Sequence, residues 1–583
     1  VPLNPQTFRG TTVSPGIARG PAYVLTGTAS VAAPQQTIAA TEVVAELARF
    51  EAALNRAQKE ILAVKADVAE RIGGGEAEIF SAQAMLARDP AFHNKVSDAI
   101  RSELITAESA VAEVVDKFVR IFEEIPDAYL RERAIDIRDV GRRLLAALVE
   151  EQGPQLVEIP AGAILVADEL LPSVTARFEL AHVGAVVTER GGKFSHSAIL
   201  ARSLRLPTVT NVLGASHVIR TGDALIVDGM SGIVFVNPGQ AVQQEYQRLE
   251  TELRNYNEGL KQLVDLPSVT GDGTRIPLLA NVSKFSDTEP AFLYRADGIG
   301  LYRTEFGFSV RSTFPSEDEQ YEFLNRAAER FHPRKVVFRV LDIGGDKELT
   351  YFPLPAHRNP SLADRGIRLL LKTPEVLKRQ LRAFLRISGK HPVSILLPVV
   401  GGLEEVRRTK VVLRQAQEEL AAEGRPFNPR IPIGAMIEVP SAALMAAALA
   451  KEVDFFSVGT NDLVQYVLAA DREDETVATY YQPLHPAILR LIHTVADAAR
   501  GAGIGLSLCG EMAGNPAYTE LLVGLGIREF SVAPGELLEV KSVIRRLTIA
   551  GAEALAAEAL LLDSVADVEA LITRARPEGS PPD

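Results

Sequence analysis

The sequence predicts a multidomain α/β protein: a β/α domain interrupted by an inserted helical domain, a linker helix, and a C-terminal (β/α)₈ TIM barrel. Three observations predict it. Short strand-like runs open the chain, stop for a long helical stretch and then resume; a polar helix-like segment follows; and eight further apolar runs then alternate with helical stretches. At 583 residues the chain is too long for one core, which agrees with two to four domains.

The opening runs lie in TTVSPGIARGPAYVLTG. From about Thr41 to Glu151 the pattern is helical, with Val43, Leu47, Phe50, Leu54 and Ile61 in one apolar stripe and few Gly or Pro outside Gly73 to Gly75. Strand-like runs return in AGAILVA, VGAVVTE, LPTVTNV, DALIVDG and GIVFVNP. The β/α domain is therefore assigned to residues 1–27 and 152–239, and the helical insertion to 28–151. AVQQEYQRLETELRNYNEGLKQLV is assigned as a linker helix within 240–266, and Pro267 with Gly271-Asp272-Gly273 opens the next domain. Residues 267–575 hold the eight runs IPLLANV, ADGIGLY, KVVFRVLDI, VSILLPVV, IPIGAMIEV, VDFFSVGT, GIGLSLCG and EFSVAP. The tail 576–583, RPEGSPPD, is expected to be disordered.

Composition narrows the function classes. No run is long and apolar enough to cross a bilayer, since even AALMAAALAKEVDFF is broken by charge, so no membrane insertion is expected. Lys and Arg total 62 against 75 Asp and Glu, a net charge of −13, and no basic tract is interleaved with aromatics. Nucleic acid, whose phosphates reward a concentrated basic face, is not an expected partner. The single cysteine, Cys509, excludes an internal disulfide framework and fits a reducing compartment. VPLNPQTFRG has neither the charged start nor the apolar core of a secretory signal, so the expected location is cytoplasmic.

Catalytic groups of such barrels sit at the C-terminal ends of the strands, and the residues found there form a charged rim. Run two ends in Arg303-Thr304-Glu305, run three holds Arg339 and leads into Asp342-Ile343-Gly344-Gly345-Asp346-Lys347, run five ends at Glu438, run six at Asn461-Asp462 and run seven at Cys509-Gly510-Glu511; Arg472 follows run six. Glu438 and Asp462, on neighbouring strands, suit a hard oxygen-liganded cation such as Mg²⁺. Arg303, Arg339 and Arg472 suit a small polyanion, because guanidinium forks grip carboxylate and phosphate bidentately. Together they describe a site for a Mg²⁺-bound phosphorylated carboxylate. A bland alternative is a ring of salt bridges at the barrel mouth, which explains any one pair more readily than the whole set. Cys509 closes a strand facing this site, and a thiol of ordinary pKa ~8.5 is a competent proton donor; the alternative is a small buried hydrophobe.

The stretch GGKFSHSAILARSLRLPTVT carries the second constellation. Gly191 and Gly192 permit a tight turn, Ser195 caps a helix that runs from Ser197 to Leu204, and Pro207 ends it. His196 then stands at a helix N-terminus, where free N–H groups and the dipole favour an anion such as a phosphoryl group and keep the imidazole neutral and nucleophilic. The competing reading is a structural or capping histidine, one of nine in the chain.

These segments are recognisable. GGKFSHSAILARSLRLP resembles the phosphohistidine signature of the Enzyme I family of the bacterial phosphotransferase system; GLYRTEF, LDIGGDKEL, MIEVPSA, DFFSVGTNDLVQY and LCGEMAG resemble its phosphoenolpyruvate-binding barrel. SPGIA and RAIDIRDVGRRLL extend the match in order along nearly the whole chain. The resemblance implies Mg²⁺-dependent autophosphorylation of His196 by phosphoenolpyruvate, followed by transfer to a histidine of the small carrier HPr and release of pyruvate. It implies that Arg303, Arg339, Arg365 and Arg472 hold phosphate and carboxylate with help from Asn461, that Glu438 and Asp462 bind Mg²⁺, that Cys509 protonates the enolate carbon, and that Thr175 orients the histidine. It further implies a swivelling phosphohistidine domain, an HPr-docking role for the inserted helices, and a homodimer formed through the barrel. Phe194 replaces the Thr usual before Ser-His, Gln83 stands where the family often has His, and Asp364 where an apolar residue is common. These departures leave open whether the branch served is sugar uptake or a regulatory, nitrogen-type relay with an HPr-like carrier.

Phosphoenolpyruvate synthase and pyruvate phosphate dikinase resemble the same modules, but they require an ATP-grasp domain, and the segment before His196 is too short and too helical to hold one. A non-catalytic regulatory scaffold is the reading from another class. The intact set of His196, Arg303, Arg339, Glu438, Asp462, Arg472 and Cys509 argues against an inactive scaffold.

Overall fold

The computed structural model describes residues 5–25, 36–71, 83–84, 90–123, 128–149, 159–169, 183–191, 201, 206–309, 311, 313–345, 349, 351–352, 354, 359–472, 474 and 476–575. His196, Thr175, Phe194 and the tail 576–583 lie outside them. The chain divides into two compact units between Asn255 and Tyr256.

The N-terminal unit carries one eight-stranded sheet drawn from both ends of its sequence. Its strands are β1 (Gln6–Arg9), β2 (Thr11–Ser14), β3 (Ile17–Leu25), β4 (Ala163–Ala167), β5 (Val183–Thr188), β6 (Thr208–Thr210), β7 (Ala224–Asp228) and β8 (Ile233–Val236), in the order β1-β8-β7-β3-β4-β5-β6-β2. The central strands β3, β4, β5 and β6 are parallel, and β4 is buried along its whole length, which is why AILVA reads as an unbroken apolar run rather than an alternating one. Gly20 is required on β3: a Cβ there would stand 2.1 Å from the carbonyl oxygen of Gly162. Between β3 and β4 the described chain is helical, in Val43–Arg71, Pro90–Glu103, Ala107–Glu123 and Ala128–Leu148. Phe50, Leu54 and Ile61 of the predicted stripe enter the helical core, and Val43 and Leu47 pack against its edge.

The predicted linker is a helix, Gln240–Lys261. Its first turns belong to the N-terminal unit, where Tyr246 donates to Asp228 at 3.0 Å and Arg19 pairs with Glu250 at 2.6 Å. Beyond its last turn, the buried Lys541 ammonium donates to the carbonyls of Leu263 and Val264.

The second unit is built on a closed barrel of eight parallel strands: β9 (Leu278–Val282), β10 (Ile299–Arg303), β11 (Val336–Arg339), β12 (Val393–Leu397), β13 (Ile433–Ile437), β14 (Phe455–Val458), β15 (Gly505–Leu508) and β16 (Phe530–Val532), with β16 pairing back onto β9. Seven of the eight predicted runs contain one of them whole, and the run ADGIGLY contains all of β10 but Arg303. Leu301, Val337, Leu396, Met436 and Cys509, from five different strand regions, form a small apolar cluster, while a much larger core joins the barrel to its surrounding helices. One placement differs from expectation. Asn461 and Asp462 do not end β14 but stand in the first turn of the helix Thr460–Leu468, because the chain turns at Gly459, where a side chain would strike Glu438.

The ends of β10 and β11 are tied from outside the barrel. Gln380, buried on the helix Pro374–Ser388, accepts from the Leu341 N–H at 2.8 Å and donates to Thr304 Oγ1 at 3.2 Å; Thr304 in turn donates to the Arg339 carbonyl at 3.0 Å. Replacing Gln380 by Leu leaves a buried N–H unpaired, a loss of about 1–3 kcal/mol. Urea denaturation followed by far-UV circular dichroism is expected to show the barrel transition of Gln380→Leu at lower denaturant; an unchanged midpoint would show that this tie contributes nothing.

Candidate active site

At the C-terminal end of the barrel the strand-end loops enclose a cavity of about 100 Å³. Eight of the ten residues picked from sequence line it: Arg303, Arg339, Arg365, Glu438, Asn461, Asp462, Arg472 and Cys509. The other two, His196 and Thr175, lie outside the described residues; Gly191, at the start of the histidine stretch, has φ 137°, a value open to glycine and closed to most side chains. Leu301 and Met436 also line the cavity and share the apolar cluster with Cys509.

The four arginines fall into two classes. Arg339 and Arg365 are buried and held by carboxylates. Arg365 makes a two-pronged bond to Asp342, Nε to Oδ1 and Nη2 to Oδ2, both at 2.9 Å, and its Nη2 also reaches Asp462 Oδ2 at 2.8 Å. Arg339 Nη2 donates to Glu305 Oε1 at 2.6 Å and lies 3.4 Å from Asp342 Oδ2, while its Nε has no hydrogen-bond partner. Burial alone would weaken the hold on both protons, but Glu305 and Asp342 at Arg339, and Asp342 and Asp462 at Arg365, outweigh it, so both guanidiniums stay charged. Arg303 and Arg472 differ: among the described residues neither guanidinium hydrogen-bonds or ion-pairs with protein, and both face the cavity. They are the cations left for a ligand.

Asp342 is fully buried and joins the two held arginines, and Glu305 adds a second tie by also accepting from the Asp342 N–H at 3.0 Å. Sequence reading placed both residues at strand ends without assigning them a role. Their acidic side chains were the available signal; which arginine each would hold was not.

Glu438 is buried, and its Oε1 accepts the Val399 N–H at 2.6 Å. Burial, then Asp462 and Asp342, push its carboxyl up to about 7 against the opposing pull of Arg339 and Arg365. A buried carboxylate crowded by two others is a place where added positive charge is favourable, and Glu438 with Asp462 therefore fits a hard divalent cation. Among the described residues no cluster of three or more His, Cys, Asp or Glu is placed to hold a metal. A pair of carboxylates agrees with the habit of Mg²⁺, which keeps several positions for water and ligand oxygen.

Asn461 ties the first turn of its helix to the short helical turn after β15: its amide donates to Glu511 Oε1 and accepts the Glu511 N–H, each at 2.8 Å. Cys509 is buried with Sγ 3.5 Å from the Val458 carbonyl. Burial pushes its thiol up; Ser457 draws it down, Glu438 adds to the rise, and Arg303 and Arg339 oppose it, leaving a net rise. The thiol therefore holds its proton at neutral pH, as a proton donor must.

Three family models divide the chain: "PEP-utilising enzyme, N-terminal" over residues 9–133, "PEP-utilising enzyme, mobile domain" over 159–232, and "PEP-utilising enzyme, PEP-binding domain" over 257–549. Curated proteins similar to the chain carry the name phosphoenolpyruvate-protein phosphotransferase. Those from Geobacillus stearothermophilus and from a Bacillus species are 40% and 39% identical over 574 residues, covering 98% of this chain and 98% of each relative. The one from Haemophilus influenzae is 39% identical over 563 residues, covering 97% and 98%.

Because Cys509 is the only cysteine, thiol chemistry reports on it alone. In the folded full chain, the alkylation rate by iodoacetamide is expected to rise with a midpoint above the ordinary thiol value of ~8.5. A midpoint at or below that value would contradict the protonated thiol.

Proposed function

The chain belongs to the phosphoenolpyruvate-protein phosphotransferase family, and on that premise we propose that it transfers the phosphoryl group of phosphoenolpyruvate first to His196 and then to a histidine of the carrier HPr. One observation carries the reading: two guanidiniums without a partner among the described residues and a buried carboxylate pair line the same small cavity. Such a lining matches a phosphorylated carboxylate bound with a divalent cation.

In this reading Arg303 and Arg472 grip the phosphate and carboxylate oxygens, and Arg339 and Arg365, already fixed by Asp342, add positive charge without having to reorganise. Asn461 steadies the loop beside the phosphoryl group. Glu438 and Asp462 hold Mg²⁺, which neutralises charge on the phosphoryl oxygens when bound. A ring nitrogen of His196 forms a bond to phosphorus as the bond from phosphorus to the enolate oxygen breaks. The enolate carbon then takes the proton of Cys509, releasing pyruvate, and the thiolate recovers a proton from water. Thr175 orients the imidazole, and a helix beginning beside His196, as expected from the sequence, would favour the phosphoryl group it receives.

The same reading assigns HPr docking to the inserted helices within 28–151, travel of His196 to the linker helix, and homodimer formation to the barrel. The assigned place is the cytoplasm and the first step of sugar phosphotransfer. Among the described residues no helix is long and apolar enough to cross a membrane.

Incubation with radiolabelled phosphoenolpyruvate and Mg²⁺ tests it. The expected result is an acid-labile label on the wild type, absent from His196→Ala and passed to added HPr. Label retained by the enzyme would reject HPr as carrier, and an unlabelled wild type would overturn the mechanism.

A further inference from the structure

Val399 holds a main-chain conformation that its own side chain disfavours. It lies just beyond β12, is buried, and has φ 54°. A β-branched residue is rarely found there, because Cβ and its two substituents crowd the main chain. Such a conformation persists only where its surroundings hold it, and it gathers at sites that use it.

The use is geometric. The bend carries the Val399 N–H to Glu438 Oε1 at 2.6 Å. The other carboxylate oxygen, Oε2, lies against Gly459, where a Cβ would come within 2.8 Å of it and 3.0 Å of Glu438 Cβ. Behind the bend, Gly366 leaves space for Val399 itself: a Cβ on Gly366 would stand 2.8 Å from Val399 Cγ2. One donor and one missing side chain thus define where the Glu438 carboxylate sits.

We propose that Val399 is a positioning residue for Glu438: its left-handed main chain delivers an N–H that fixes Oε1, while Gly459 keeps Oε2 clear for the cation. Neither residue supplies a functional side chain. The proposal rests on the reading of Glu438 and Asp462 as the cation ligands. Its rival, that Val399 acts only by packing its side chain, makes the opposite prediction for glycine at that position.

The test titrates the metal-free full chain with Mn²⁺, following free ion by electron paramagnetic resonance and folding by circular dichroism. Val399→Gly keeps the N–H and enters the left-handed region freely, so its Mn²⁺ affinity is expected within about threefold of wild type. Gly459→Ala pushes Oε2 aside and is expected to weaken Mn²⁺ binding by about tenfold or more, the scale on which groups that orient metal ligands act. Val399→Pro loses the N–H, cannot adopt positive φ, and is expected to fall as far; should it not fold, Val399→Gly and Gly459→Ala decide. A large loss in Val399→Gly, or wild-type affinity in Gly459→Ala, overturns the proposal. Glu438→Gln separates the two layers: wild-type Mn²⁺ binding in that variant rejects the cation reading itself, whereas its loss alongside retained binding in Gly459→Ala rejects only the positioning role.

Discussion

The fully buried carboxylate of Asp342 is the point on which the cavity depends. It takes Arg365 through both oxygens and lies beside Arg339, so a guanidinium from the end of β11 and one from a loop are held by one side chain. A buried charge is tolerated only when paired and hydrogen-bonded, and removing one partner of such a pair typically costs about 3–5 kcal/mol. Asp342 therefore keeps two arginines charged and oriented inside a barrel that would otherwise exclude them. Glu305 and Gln380 carry the same constraint outward, tying the ends of β10 and β11 to the loop and helix behind them.

From that arrangement follows a division of labour within one small space. Arg339 and Arg365 are committed to protein carboxylates, whereas Arg303 and Arg472 have no partner among the described residues. On the proposed reading Glu438 and Asp462 supply the negative charge that a cation offsets. Within the same cavity, Cys509 shares an apolar cluster with Leu301 and Met436, and burial keeps its proton in place. Charge that grips oxygen thus stands beside a neutral donor suited to carbon, the two demands of cleaving an enol phosphate on the proposed reading.

Much of this was legible in sequence because a parallel barrel writes itself plainly. Strands buried on both sides read as short apolar runs, as in MIEVP and FFSVG, and catalytic positions follow them directly. Glu438, Cys509, Arg303 and Arg339 were accessible for that reason, Arg472 as a charge on the loop after β14, and Arg365 only through the family resemblance. Asn461 and Asp462 were placed slightly early, since the apolar run of β14 gives no sign that the chain turns at Gly459 into a helix. Asp342 and Glu305 were visible as acids but not as clamps, because a guanidinium's partner is set by packing across strands. Val399 was invisible, because its contribution is a main-chain N–H and a backbone angle, and valine in an apolar run looks like core. His196 and Thr175, read from sequence and resemblance, lie outside the described residues.

On the proposed reading Arg303 and Arg472 serve the ligand whereas Arg365 serves the fold as well. Calorimetric titration with phosphoenolpyruvate and Mg²⁺, in a His196→Ala background so that no phosphoryl group leaves, tests it directly when combined with thermal melting. Arg303→Gln and Arg472→Gln are each expected to weaken binding by about tenfold or more at an unchanged melting midpoint, while Arg365→Gln is expected to lose both binding and stability. Unimpaired binding in Arg303→Gln and Arg472→Gln, or a fall in their melting midpoint matching that of Arg365→Gln, would contradict it.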